Sequence, residues 1–201
     1  MYLNLFIIGP SGCGKSTQAK LIAEKYKLTH FSAGQLLREE MESNSEVGLE
    51  AKKYVDKGLW VPDTTIFNVL KAHIDQIQDH DFIIDGFPRK LDQGIMVAKY
   101  LTTINRPMTC LIHLSVTFDE IIARRKKQES AGTRFSDAGH TDETPESILQ
   151  RQKSYDETIN PILNYFKDKH MLINIDGNRP VTPIFSDICQ EIDRILTVNN
   201  N

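Results

Sequence analysis

Five short apolar runs punctuate the chain: LNLFII at 3–8, LTHF at 28–31, FII at 82–84, TCLIHLS at 109–115 and MLINI at 171–175. Short apolar runs rich in β-branched and aromatic residues predict strands. LTHF carries the weakest pattern of the five. Longer stretches of helical character lie between them, the first over 16–27. Strands alternating with helices in this way predict an α/β fold, a parallel sheet covered by helices on both faces in three layers. Ligands of such sheets bind at the carboxyl ends of the strands.

Two segments break the alternation. Residues 33–62 are helical and polar without a strand, with Gly48 and Gly58 read as breaks. Residues 126–146 (KKQESAGTRFSDAGHTDETPE) are charged and poor in apolar side chains. Non-strand segments this long inside a compact domain usually serve function, so both are expected to be insertions over the ligand crevice. The reading is one domain, 1–201, with a core of 1–32, 63–125 and 147–201. Its tail, TVNNN, is expected to fray.

Composition narrows the partners. A formal charge of −3 over 201 residues gives no reason to expect nucleic acid or an anionic membrane. Any basic site must therefore be a local concentration of Arg and Lys. No run approaches the roughly 20 apolar residues of a membrane span. The first apolar run ends at Gly9-Pro10 without a basic start or a small-residue cleavage site, so a cytoplasmic setting is expected. Cys13, Cys110 and Cys189 show no metal-ligand spacing. Cys110 and Cys189 are expected to be buried; Cys13, in a glycine-rich loop, is more open to chemistry, though a variable loop position without chemistry is the favoured reading.

That loop carries the first chemistry. GPSGCGKST (9–17) follows a predicted strand and opens a predicted helix. Gly9, Gly14, Lys15 and Ser16 satisfy the G-x-x-x-x-G-K-[ST] pattern, whose backbone N–H groups and helix N-terminus cradle phosphates. Lys15 can reach the β- and γ-phosphates, and the Ser16 hydroxyl can ligate Mg²⁺. A nucleoside triphosphate is the expected ligand. The base-reading Asn-Lys-x-Asp of GTP switches is absent from the sequence. FIIDGFPR (82–89) supplies the second landmark: Asp85 at a strand end suits the Mg²⁺ hydration shell, and Arg89 suits bidentate recognition of a second phosphate.

With SAGQLLR (32–38), VPD (61–63), DGFPRKLDQ (85–93) and RQKSYDETINP (151–161), these motifs resemble, in order and spacing, the adenylate kinase-like nucleoside monophosphate kinases. The resemblance implies a five-stranded parallel P-loop core, a helical NMP-binding insertion over 33–62 and a short lid over 126–146. It implies a monomeric enzyme that moves the γ-phosphoryl of Mg-ATP to a nucleoside monophosphate. The donor would lie on Gly12, Cys13, Gly14, Lys15, Ser16 and Thr17, with Arg124 and Arg179 beside it. The acceptor would lie on Ser32, Ala33, Arg38, Trp60, Val61, Gly86, Arg89, Gln93, Arg134 and Arg151. Arg124, Arg134 and Arg151 would gather around the transferring group, Arg134 from the lid. Metal contact would come from Ser16 and Asp85, partly through water.

Departures from the family pattern matter as well. Gln128 stands where the family usually has a second helix Arg, and a neutral amide cannot replace that charge. Arg134 lies early for a lid arginine, and His140 keeps the spacing without the charge. The lid holds no cysteine, so no zinc is expected. Ala33 resembles the pyrimidine-specific members, and Gln35 replaces an acidic residue, whereas Gln93 and Asp63 resemble the adenylate-specific ones. AMP is the expected acceptor, with CMP or UMP as the alternative. A nucleotide-binding protein with little transfer activity is the reading from a different class.

Overall fold

The computed structural model describes residues 2–55, 61–77, 80–130 and 145–198. Five strands form one sheet: β1 (Asn4–Ile8), β2 (Thr29–Ser32), β3 (Phe82–Asp85), β4 (Cys110–Ser115) and β5 (Leu172–Asp176). Their order is β2-β3-β1-β4-β5 and every pairing is parallel. All five residues of β1 are buried, because the central strand is covered on both faces. Leu5 and Ile7 point into one apolar layer, Phe6 and Ile8 into the other.

The first layer is closed by α1 (Lys15–Tyr26), α6 (Phe118–Ser130) and α8 (Val181–Val198) through Ile22, Ile121 and Ile188. The second is closed by α2 (Ala33–Glu42), α4 (Asp63–Gln76), α5 (Leu91–Thr103) and α7 (Pro145–Asp168) through Leu36, Leu70, Leu101 and Phe166. The three layers and parallel sheet agree with the pattern of apolar runs. Parallel register brings Ile7 opposite Asp85 and Ile8 opposite His113, so the carboxyl ends of β1, β3 and β4 open onto one crevice.

Gly48 is not a break. It lies inside α3 (Glu46–Val55), and a Cβ built on it would stand 1.9 Å from the Glu40 carbonyl oxygen. Glycine is there because α2 and α3 touch backbone to backbone. The chain turns instead at Ser43–Ser45, where Asn44 has φ 55° and the Ser45 hydroxyl accepts the Gly48 N–H at 3.0 Å. A serine side chain accepting an N–H of the first turn is an N-cap. Gly58 lies outside the described residues. The first residues of the expected lid, 126–130, continue α6, and α8 runs to Val198.

Candidate active site

The phosphate loop follows β1 directly. Gly12 and Gly14 take φ 86° and 94°, a backbone region that side-chain-bearing residues rarely occupy. Gly14 caps α1 without a side-chain hydrogen bond, and no acidic residue stands in the first turn. The helix N-terminus thus lacks a side-chain cap, and its positive end meets no acid from its own first turn. The Cys13 N–H closes the loop onto the Pro10 carbonyl at 3.2 Å, and Lys15 Nζ donates to the same oxygen at 3.4 Å. Thr17 is exposed on the outer face of α1.

Ser16 Oγ donates to Asp85 Oδ2, joining the loop to the end of β3. Asp85 is 2% exposed, and among the described residues its Oδ1 has no hydrogen-bond partner. A buried carboxylate oxygen left this way costs free energy unless a donor or cation meets it. Hard oxygen ligands beside a serine hydroxyl suit Mg²⁺. Gly86 follows with φ 79°, its N–H bonded to the Ile7 carbonyl at 3.0 Å. A Cβ there would stand 3.8 Å from Lys15 Cε. The two landmarks of the sequence meet.

Beyond Gly86 lies a concentration of positive charge. Arg89 Nε donates to the Gly86 carbonyl at 3.2 Å. Solvent reaches its surface, yet the guanidinium stands in a crevice ringed by protein. Lost hydration lowers its pKa below the ordinary arginine value; Arg151 lowers it further, Asp85 opposes, and Arg38 adds a smaller lowering. Arginine keeps its proton in proteins, so three like charges from α2, the loop after β3 and α7 share one region. That arrangement favours an anion.

Arg124 is a brace. Its Nη1 donates to the Cys13 carbonyl at 2.9 Å, its Nη2 to the carbonyls of Gly177 (2.5 Å) and Arg179 (3.3 Å), and its Nε to Glu120 Oε1 (2.7 Å). It ties the phosphate loop to the turn after β5. Asn178 anchors the same turn, accepting from Thr117 N at 2.9 Å and Thr117 Oγ1 at 3.1 Å. The Arg179 guanidinium is turned to Asp187 (2.7 Å) and the Asp176 carbonyl (3.2 Å).

Gln93 is 5% exposed on the first turn of α5. Its Oε1 accepts the Arg89 N–H at 2.8 Å, and its Nε2 donates to Asp63 Oδ1 at 2.8 Å. Ser32 ends β2, Ala33 is buried at the start of α2, and Val61 is half-buried two residues before Asp63. Trp60, Arg134 and His140, and the side chain of Gln128, lie outside the described residues. The expectation of no zinc falls on the same segment. Among the described residues no three His, Cys, Asp or Glu side chains stand together to hold a metal.

Cys13 is less open than its place in the loop implied, which agrees with the favoured reading of a position without chemistry. It is 1% exposed, and burial pushes its thiol up from the ordinary 9.0 despite Lys15 nearby. Its side chain turns into the apolar layer while its carbonyl serves Arg124. Sequence reasoning missed three groups: Glu120, Asn178, and His113 with Tyr155. His113 lies between Asn174 Oδ1 (2.6 Å) and the Tyr155 hydroxyl (2.7 Å). A histidine inside an otherwise apolar strand was the available signal.

A parallel sheet whose first strand runs into a phosphate loop, with an acid at the neighbouring strand's end and arginines beyond it, defines a P-loop α/β nucleotide-binding enzyme. The family model described as Adenylate kinase matches residues 7–171. The chain belongs to the adenylate kinase family. It is 33% identical to the adenylate kinase of Chloroherpeton thalassium, with 97% of this chain and 98% of that protein covered. For the adenylate kinase of Bacteroides thetaiotaomicron the identity is 33%, over 96% of this chain and all 100% of the other. For that of Methanococcoides burtonii it is 30%, over 96% and 99%.

Proposed function

We propose that this enzyme catalyses reversible transfer of the γ-phosphoryl of Mg-ATP to AMP, yielding two ADP. The observation that carries it is the cluster of Arg38, Arg89 and Arg151, joined to the phosphate loop through Asp85 and Gly86. A phosphate loop alone would suit hydrolysis or a switch. A second cationic site beside it suits an acceptor that carries its own phosphate.

Phosphoryl transfer asks mainly for positioning and for charge to meet charge. The loop N–H groups and Lys15 would hold the donor phosphates. Arg38 and Arg89 would hold the acceptor phosphate in line, and Arg151 would meet the charge spread over the transferring group. The acceptor oxygen is already an anion, so no general base is required. It attacks the γ-phosphorus as the bond to the ADP leaving oxygen breaks. Mg²⁺, when bound with ATP, neutralises β- and γ-oxygens. Ser16 and Asp85 would hold it, and the unpartnered Asp85 Oδ1 supports that fit.

Arg124 would keep the loop and the turn after β5 in register through three bonds to carbonyls and one to Glu120, while its Nη1, beside Gly14, would face the donor phosphates. Residues 33–62 as the acceptor-binding insertion and 126–146 as the lid remain part of the proposal, with Trp60 and Arg134 among their contacts. Three free cysteines suit a reducing compartment, hence a cytoplasmic setting. AMP is favoured over CMP or UMP because the curated relatives are adenylate kinases and because Gln93 offers an amide at the acceptor side.

The test is Arg89→Ala. Transfer to AMP should fall on the order of 10³-fold, with ATP affinity nearly unchanged. An equal loss of ATP binding would remove Arg89 from the acceptor site.

A further inference from the structure

The hydrogen bonds of Gln93 leave it no choice of orientation. A backbone N–H, that of Arg89, can only donate, so it requires the amide oxygen at 2.8 Å. A carboxylate can only accept, so Asp63 requires the amide nitrogen at 2.8 Å. Turning the amide over would set donor against donor and acceptor against acceptor in a site where Gln93 is 5% exposed. Lys90 Nζ secures the carboxylate, 3.2 Å from Oδ1 and 3.3 Å from Oδ2 of Asp63. An amide carries two N–H donors and two acceptor lone pairs, so one of each remains for a ligand.

We propose that Asp63, acting as a positioning residue through Gln93 and together with the Arg89 N–H, sets purine selectivity. This rests on the reading that the acceptor base lies against Gln93. Adenine presents an amino donor at N6 beside an acceptor at N1. Hypoxanthine and guanine present the reverse, an acceptor at O6 beside a donor at N1. An amide free to turn over would pair with either order. An amide held by Asp63 pairs with one and meets the other with two mismatched contacts. Sites that leave buried polar groups unpaired against the wrong substrate discriminate strongly.

The experiment compares kcat/KM for AMP and for IMP, with Mg-ATP as donor, in the wild type, Asp63→Asn and Gln93→Leu. Asparagine at 63 keeps the shape and can either donate or accept, so turning the amide over then sacrifices only the Arg89 N–H contact instead of both, and the second orientation comes within reach. The IMP-to-AMP ratio should rise at least about tenfold in Asp63→Asn, with the KM for ATP unchanged. In Gln93→Leu activity with AMP should fall and the ratio should move toward unity. The ratio is internal to each protein, so a loss of stability alone does not move it. Lys90→Met leaves the carboxylate an acceptor and should leave the ratio unchanged; Asp63→Ser, whose hydroxyl can donate or accept, takes the place of Asp63→Asn if that variant does not fold. A ratio altered in Gln93→Leu but unchanged in Asp63→Asn, or in the Asp63→Ser stand-in, overturns the role of Asp63 and leaves Gln93 as the reader. A ratio unchanged in all of them removes Gln93 from the base and the inference with it.

Discussion

Asp85 carries a buried oxygen that no group among the described residues satisfies, and His113, two strands away, shows the opposite solution. Both of its ring nitrogens have partners, Asn174 and Tyr155, and the ring is buried. Burial lowers its pKa below the ordinary 6.5, with the Asn174 contact opposing. His30 is lowered too, first by burial, with a smaller contribution from Lys20 against the opposing pull of Asp85. A depressed native pKa means that the unfolded chain binds the proton more readily. The associated stability is full above pH 6.5 and is lost as pH falls through the native values. Urea midpoints should therefore fall between pH 7.5 and 5.5, before carboxylates titrate, and His113→Gln should shrink that fall. A midpoint independent of pH in the wild type would contradict buried, neutral histidines. None of this was legible beforehand: an isolated histidine names no partners, and both partners come from distant segments. The phosphate loop and DGFPR were legible because each is contiguous and demands particular residue types.

At the scale of elements, the contact of α2 with α3 decides where Arg38 stands. Gly48 lets the two helices meet at the Glu40 carbonyl, where a Cβ would lie 1.9 Å away. Gly48→Ala should force them apart and destabilise the protein by about 1–3 kcal/mol, the usual cost of overpacking. Thermal unfolding measures the loss, and the KM for AMP should rise with little change in that for ATP, because Arg38 rides on α2. An unchanged melting temperature would mean that the helices do not pack this closely. A glycine in a polar stretch reads as a breaker, and only the neighbouring helix reveals it as a point of contact. The true turn had its own signal in Ser45, a good N-cap residue ahead of a helical pattern. Strand positions fared better, since apolar runs bounded by polar residues report burial directly: the five predicted runs each contain most of a strand.

For the whole molecule, parallel topology gathers the ends of β1, β3 and β4 at one crevice, and the two cationic sites there belong to different elements. The phosphate loop opens α1; the arginine cluster is assembled from α2, the loop after β3, and α7. A donor and an acceptor can thus be bound independently and brought together across Asp85 and Gly86. The measurement that tests this most directly is coupled transfer from Mg-ATP to AMP, CMP, UMP, dCMP and GMP at matched concentrations, with a control lacking acceptor. ATP consumption should require an acceptor, and AMP should exceed every other monophosphate by at least about tenfold in kcat/KM. Consumption of ATP without acceptor, or preference for CMP or UMP, would contradict it.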